Sequence, residues 1–316
     1  MIHGGIVGCG QIAARMAKVL RQHPESRLYA CAAREEKRAW RFADTWGAEK
    51  AYEGTEALAA DPQVQAVYVA NIHPAHYEAV KTCLLAGKPV LCEKPLTMTA
   101  DQARDLFRLS EQQGILLMEA IWTRFLPAWR EVRTRIEKGE LGRIGYMAAD
   151  FSASCPVDPD SRLFAPEKGG GALLDIGVYP LHMVQYILGP EYALGETAGR
   201  RASTGVDSFA AATLRFVCGA VAQVTCGLDV CGGCPAAIHG ENGWIEVPRM
   251  YEAREYTVHW KDGTSETKVF EDIDGFTYEI DEFHRLLKAG RCSSDIAAPE
   301  HTLAVLQTVE RIGERL

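Results

Sequence analysis

No apolar run in this chain approaches the roughly 20 residues that a bilayer-spanning helix needs, so no membrane segment is expected. The N-terminus lacks a basic segment followed by a long apolar one. Residues 2–7 read as a strand that opens a fold rather than as a signal peptide, and the expectation is a cytoplasmic protein. Positive charge is in deficit: 34 Lys and Arg against 42 Asp and Glu leave a net charge of −8. That argues against nucleic acid or an anionic membrane as the main partner, while leaving room for a local basic pocket. The ten cysteines form no ligand set. Cys231-Gly-Gly-Cys234 has redox or zinc spacing, but no second Cys or His pair stands at the matching distance and tetrahedral zinc needs four ligands. It reads as a glycine-rich turn, and no metal is expected. Cys31, Cys83, Cys92 and Cys218 sit in apolar runs and read as small buried residues in a reducing compartment.

What is present points to two domains, the prior for 316 residues of ordinary globular composition. Gly4-Gly5-Ile6-Val7 leads into Gly8-Cys9-Gly10-Gln11-Ile12-Ala13, a G-x-G-x-x-A between a strand and a helix. Gly8 allows a tight turn, Gly10 lets a pyrophosphate approach the backbone, and Ala13 permits close helix–strand packing. The helix start, with Gln11 and Ile12, supplies amide donors and a positive dipole end. Ile12, Met16, Val19 and Leu20 share its apolar face. The motif is specific because its strand and helix are both in place.

A second strand over 27–33 ends at Ala33-Arg34, with Lys37 and Arg38 close behind. An NAD-selecting site places Asp or Glu at this strand end for the ribose 2′-hydroxyl. Here Arg34, assisted by Arg38, suits a 2′-phosphate. Glu35 and Glu36 fall in the first turn of the next helix, where acids are favoured anyway. The expected cofactor is NADP, with NAD possible. Helices over 35–45 and 76–86 alternate with strands over 64–71 and 90–92, and Asn71 and His73 at a strand end become candidate cofactor residues. His76, inside the following helix, reads equally well as a surface residue. Thr99-Ala-Asp-Gln102 is a capping box, and 115–118 is one more buried strand. Repeated strand–helix alternation to residue 120 means a doubly wound parallel sheet.

Pro89-Val90-Leu91-Cys92-Glu93-Lys94-Pro95 places a charged pair at the end of a short buried strand, where open parallel sheets bind ligands. Most lysines are solvated and have no role; Glu93 and Lys94 are singled out by their position. After residue 120 the pattern changes. Following a helix over 127–138, strands are expected over 144–152, 208–217, 220–229, 237–247 and 256–270, the last around an Asp262-Gly263 turn, with helices over 171–188 and 276–289. The expected fold is therefore α/β: an N-terminal Rossmann domain, 1–120, and a C-terminal α+β domain, 121–316, with an open, mostly antiparallel sheet. A second subunit is expected on its open face.

In Lys168-Gly-Gly-Gly-Ala-Leu-Leu-Asp175-Ile-Gly-Val-Tyr179-Pro-Leu-His182, residues Asp175, Tyr179 and His182 share one helical face. The glycines leave the helix start bare, so that a ligand or another backbone comes close. Pro180 frees the carbonyl of Ile176. A half-exposed amphipathic helix with a solvated polar face is the bland alternative. Three such side chains behind a triple glycine favour a site.

Together, the Gly8–Ala13 turn, Glu93-Lys94-Pro95 and the Gly-Gly-Gly…Asp175…Tyr179 helix resemble the Gfo/Idh/MocA oxidoreductase family along the whole chain. Met118-Glu-Ala-Ile-Trp122-Thr-Arg-Phe125-Leu-Pro127 and Asp175-Ile-Gly-Val-Tyr179 resemble its branch of dimeric trans-dihydrodiol and NADP-dependent D-xylose dehydrogenases. The broad family often has His where this chain has Tyr179. The resemblance implies a Lys–Tyr catalytic pair, Lys94 and Tyr179, an aromatic substrate pocket at Trp122, Phe151 and Phe276, and a homodimer through the C-terminal sheet. It implies hydride transfer between NADP and a hydroxyl-bearing carbon of a sugar, polyol or cyclic trans-diol. Tyr179 is then the acid/base, Lys94 the cation that favours its phenolate, and Asp175 orients Lys94 or a substrate hydroxyl. Lys94 itself as the base is the variant within this site. The rival readings are an NAD-dependent glycoside hydrolase that recycles a bound cofactor, and a non-catalytic NADP-binding regulator.

Overall fold

The strand β1 (Ile2–Val7) is followed by α1 (Gln11–Gln22), β2 (Ser26–Ala33), α2 (Glu36–Trp46), β3 (Lys50–Glu53), α3 (Gly54–Ala60), β4 (Ala66–Val69), α4 (His76–Leu85), β5 (Val90–Glu93), α5 (Ala100–Gln113) and β6 (Leu117–Ala120). The computed structural model describes residues 1–316 and divides them into two units, of which these elements form most of the first. The strand order is β3-β2-β1-β4-β5-β6, all parallel. Every residue of β4, β5 and β6 is buried, as expected for strands covered on both faces. The order reverses between β1 and β4, the switch point at which such sheets bind ligands. Thr99 caps α5 by accepting from the Gln102 amide at 3.3 Å, and Gly114 ends that helix in the left-handed region. The short β3 lies outside the strands expected from sequence. Cys31, Cys83 and Cys92 are buried as expected, whereas Cys218 is exposed.

The second unit contains α6 (Pro127–Glu137), β7 (Ile144–Ser152), α7 (Val178–Leu188), β8 (Tyr192–Arg201), β9 (Asp207–Phe216), β10 (Val221–Gly227), β11 (Ala236–Gly240), β12 (Gly243–Val247), β13 (Glu255–Trp260) and β14 (Ser265–Val269). Its eight-stranded sheet has the order β14-β13-β12-β11-β7-β10-β9-β8 and is antiparallel except between β7 and β10. The single strand expected over 237–247 is a hairpin of two. The edge strand β8 was not foreseen, because most of its residues on both faces are at least partly exposed and give no alternation. Helix α7 packs on β7 and β10. On the sheet, Tyr146, His239, Trp244 and His259 form a partly exposed stripe across β7, β11, β12 and β13, with ring centroids 5.5, 5.6 and 4.0 Å apart in turn.

One boundary differs from expectation. Helix α8 (Phe276–Lys288) and the residues to Pro299 belong to the first unit, and α9 (Pro299–Gly313) returns to the second. Helix α8 buries Ile280, Phe283 and Leu286, and polar contacts add to the attachment. Asp281 meets His23 Nε2 at 3.0 Å, while the Ser26 hydroxyl bridges His23 Nδ1 at 3.0 Å and His284 Nε2 at 3.4 Å. Lys288 pairs with Glu25, and the Leu117 amide donates to the Cys292 carbonyl. Apart from the Ser26–His23 pair, these are contacts between residues more than 170 positions apart, which no local pattern encodes.

Candidate active site

In the first unit the candidate cofactor residues gather at the carboxyl ends of β1, β2, β4 and β5. Gly8 has φ +95°, and a Cβ there would lie 2.7 Å from the backbone of Ala70 and Asn71, so the turn after β1 closes only on glycine. Gly10 has an ordinary φ of −97° and no protein atom within 4 Å of an added Cβ. Nothing in the chain itself requires a glycine there, and the space fits a pyrophosphate. Ala13 is fully buried against the sheet. Ile12 departs from the expected apolar face: it is 36% exposed beside the turn with Gln11. Arg34 and Arg38 are exposed at the end of β2, and Arg38 Nη2 donates to the Cys9 carbonyl at 3.3 Å. Glu36 is the first residue of α2, as expected, whereas Glu35 stands before it as the extended N-cap residue. These residues fit a dinucleotide.

At the end of β4, Asn71 Nδ2 donates to the Ala75 carbonyl, and His73 opens a 3-10 turn. His76 is not a surface residue. It is fully buried, its Nε2 3.0 Å from the Asn71 carbonyl and its Nδ1 2.9 Å from the Pro95 carbonyl. Burial lowers its pKa against the pull of those two carbonyls. It ties the ends of β4 and β5 together. Beyond β5, the Lys94–Pro95 peptide is cis and the Leu96 amide donates to Glu119 Oε1 at 2.9 Å. The bond from Leu96 to Glu119 anchors the segment that follows Lys94. Glu93 points inward, accepting from the Tyr68 hydroxyl. Burial raises its pKa, opposed by the Lys94 charge. Its carboxyl braces the strand end.

In the second unit the site helix begins with a wide π turn, Leu173–Gly177, that runs into α7. Such turns recur at functional sites. Asp175, Tyr179 and His182 are all buried, so the solvated amphipathic helix is excluded. The glycines before it serve another part of the chain: Gly171 has φ +126°, and its added Cβ would meet the Asp207 carboxylate at 2.5 Å. Asp207 accepts from the Leu173 amide at 2.6 Å, and burial raises its pKa. Asp175 receives Arg162 Nη1 at 2.7 Å, a partner that the sequence reading missed. Arg124, fully buried, donates through Nη2 to the His182 carbonyl at 2.7 Å and fixes α7.

Around Tyr179 lies an aromatic group. The Trp122 indole N–H donates to the Tyr179 hydroxyl oxygen at 3.2 Å. Phe151 is 5.2 Å from the Tyr179 ring and stacks on Tyr251 at 4.4 Å. Tyr251 also stands edge-on to Trp122 and Tyr179, at 6.4 and 6.5 Å. Its hydroxyl is held by Arg249 at 2.7 Å. Tyr251 was missed because it lies in a short irregular segment with no periodic signal. Phe276, the other expected pocket residue, lies in the first unit. It opens α8, 1% exposed, with the Arg15 guanidinium 4.1 Å above its ring.

Two family models match the chain. Residues 2–121 match the model of an oxidoreductase family with an NAD-binding Rossmann fold, and residues 129–246 match a GFO/IDH/MocA C-terminal domain. The chain belongs to the Gfo/Idh/MocA oxidoreductase family. It is 33% identical to a trans-1,2-dihydrobenzene-1,2-diol dehydrogenase of Xenopus laevis, over 99% of this chain and 97% of the relative. With the human enzyme of that name it shares 36% identity over 77% of this chain and 73% of the relative. Among solved structures it resembles KijD10, a 3-ketoreductase from Actinomadura kijaniata in complex with NADP and TDP-benzene. That match has 30% identity and a TM-score of 0.90, covering 98% and 96% of the two chains. Like its relatives, this family member is an oxidoreductase built on an NAD(P)-binding domain.

Proposed function

We propose that this Gfo/Idh/MocA member is an NADP-dependent dehydrogenase that oxidises a secondary hydroxyl of a sugar, polyol or cyclic trans-diol. The observation that carries the reading is the Tyr179 hydroxyl, hydrogen-bonded by Trp122 within a wall formed with Phe151 and Tyr251. Aromatic faces suit the apolar side of a sugar ring or a dihydrodiol. Trp122 is donor-only, so the phenolic oxygen is the acceptor and its own proton is directed elsewhere.

Bound NADP⁺ supplies the hydride acceptor. Tyr179 takes the substrate hydroxyl proton. The Trp122 N–H favours its phenolate, because a hydrogen bond to the charged form lowers a pKa. Lys94 is assigned the cation that holds the substrate oxygen. Its joint role with Tyr179 rests on the chemistry and on the family resemblance. Asp175, one of whose oxygens meets Arg162, is assigned to orient Lys94 or a substrate hydroxyl. Arg34 and Arg38 hold the 2′-phosphate, and the amides after Gly10 hold the pyrophosphate. The ten free cysteines support a cytoplasmic setting. The stripe of Tyr146, His239, Trp244 and His259 supports a homodimer through the open sheet face.

A panel of aldoses, inositols and trans-diols, run with NADP⁺ and with NAD⁺, tests the reading by reduced-nicotinamide absorbance. Accumulating NADPH supports it. Substrate consumption without net NADPH identifies the hydrolase instead, and tight NADP binding with no turnover on the panel identifies the regulator.

A further inference from the structure

Beside the start of the site helix stands an exposed arginine, Arg162, on the segment that leads there from β7. That segment is held in place. The Phe164 and Ala165 amides donate to the Ser161 carbonyl at 3.1 and 2.9 Å, and both residues are fully buried. The Gly171 amide donates to the Leu163 carbonyl at 2.9 Å. A Cβ on Gly170 would lie 2.8 Å from that carbonyl oxygen, so the segment lies against the helix start only because residue 170 has no side chain. Arg162 is thus an exposed side chain on a fixed support. Its contact with Asp175 is one-sided: Nη1 donates to Oδ1 at 2.7 Å, with no second bond between guanidinium and carboxylate. Arg200 on Asp229 and Arg285 on Glu282 each use two N–H groups, at 2.7–2.9 Å, the fork-on-fork geometry of a purely structural pair. The Arg162 side chain is 56% exposed and that of Asp175 6%. A guanidinium has several donors and a carboxylate several acceptor sites, so this pair presents donors and acceptors side by side. Asp175 precedes Tyr179 by four residues on the face they share, where side chains stand roughly 5–6 Å apart at Cβ. A ring whose reacting hydroxyl meets Tyr179 brings the substituent on its next carbon to Arg162 and Asp175.

We propose that Arg162 is a specificity-determining residue: with Asp175 it clamps a hydroxyl on the carbon next to the one oxidised, so that the substrate is a vicinal diol and not a lone alcohol. A sugar, an inositol and a cyclic trans-diol all meet that demand. The guanidinium donates to the hydroxyl oxygen, and the carboxylate accepts from the hydroxyl hydrogen. A hydroxyl is matched in both senses, whereas an ether or a bare CH₂ at that carbon is not. Without the hydroxyl, a charged donor and a charged acceptor face the substrate unpaired, which is how a polar site rejects an analogue. The inference rests on Tyr179 as the group that meets the reacting hydroxyl.

The test assays the parent and Arg162→Gln with NADP⁺ on two substrate pairs, trans-cyclohexane-1,2-diol against cyclohexanol and D-glucose against 2-deoxy-D-glucose. The readout is the ratio of kcat/KM within each pair. In the parent the vicinal member should be favoured by about 10- to 100-fold, the weight of a charge-assisted hydrogen bond. Arg162→Gln should shrink that ratio by about tenfold. A residue that only supports the helix start would not change it, because lost support slows both members alike. Arg162→Lys keeps a charge beside the buried Asp175 but lacks the planar fork; it should shrink the ratio too, and it is the variant read if Arg162→Gln does not fold. Where only another member of the aldose, inositol and trans-diol panel is turned over, that compound and its deoxy analogue form the pair. Equal turnover of both members by the parent, or a folded variant with the parent's ratio, overturns the proposal and leaves the dehydrogenase reading standing. No NADPH from any compound, the panel included, is instead the failure of that reading, and the clamp falls with it.

Discussion

Replacing Tyr179 by Phe separates two consequences of one hydroxyl. The ring stays, and with it the contacts to Phe151 and Tyr251. What goes is the oxygen that accepts from Trp122 at 3.2 Å. Trp122 is 5% exposed, and a buried donor that loses its acceptor costs about 1–3 kcal/mol. Urea unfolding should show a loss of that size, smaller in a Trp122→Phe background where the donor is already gone. Turnover should fall by about 10²–10⁴, the weight of general acid/base catalysis, which is roughly 2.7–5.4 kcal/mol on the barrier. NADP affinity should hardly change, since nothing at Gly8, Gly10 or Arg34 is touched. Trp122→Phe alone should raise the pH midpoint of turnover by about one unit. A hydrogen bond to a charged acceptor exceeds one to a neutral acceptor by about 1–1.5 kcal/mol. Lys94→Met should move that midpoint in the same direction. If Tyr179→Phe loses stability but keeps turnover within about threefold, far short of the expected range, the hydroxyl is a packing device and the acid/base assignment is refuted. A mild Tyr179→Phe with a nearly dead Lys94→Met makes Lys94 the base.

At the end of β2, Arg34→Asp should weaken NADP about tenfold or more and leave NAD nearly unaffected; tighter wild-type binding of NAD than of NADP, by calorimetry, contradicts the 2′-phosphate assignment. Burial pushes the His284 imidazole down to about 4. The unfolded chain, titrating near 6.5, therefore binds more protons between those values, and stability falls as pH drops through that window. Denaturation midpoints of wild type and His284→Gln should converge in acid by about 1–2 kcal/mol, and parallel curves would remove His284 from the account. Sedimentation velocity at low micromolar concentration should find twice the 34.7 kDa chain mass. Trp244→Glu, placed in the exposed aromatic stripe, should dissociate that dimer, and a wild-type monomer argues against the docking face.

The sequence alone determined what depends on neighbours a few residues away. The Gly8–Ala13 turn, the Thr99 cap and the Glu93-Lys94-Pro95 strand end are read from adjacent residues, because backbone conformation and helix capping are short-range effects. Strand–helix alternation identified the parallel sheet in the same way, whereas the shared face of Asp175, Tyr179 and His182 left a solvated helix open until their burial was seen. Tertiary structure decided the rest. Gly171 before the site helix makes way for Asp207, Arg162 meets Asp175, and Tyr251 joins Phe151; each pairing brings together side chains distant in sequence or outside any periodic pattern. His76 could be read as solvated or buried until the carbonyls of Asn71 and Pro95 were seen around it. Helix α8, which carries Phe276, has the same amphipathic pattern whichever unit it covers. Partners distant in the sequence, among them Arg15, His23, Ser26 and Glu25, assign it to the first. Local order specifies an element and the face it buries, whereas the surface that receives that face is set by chain-distant packing.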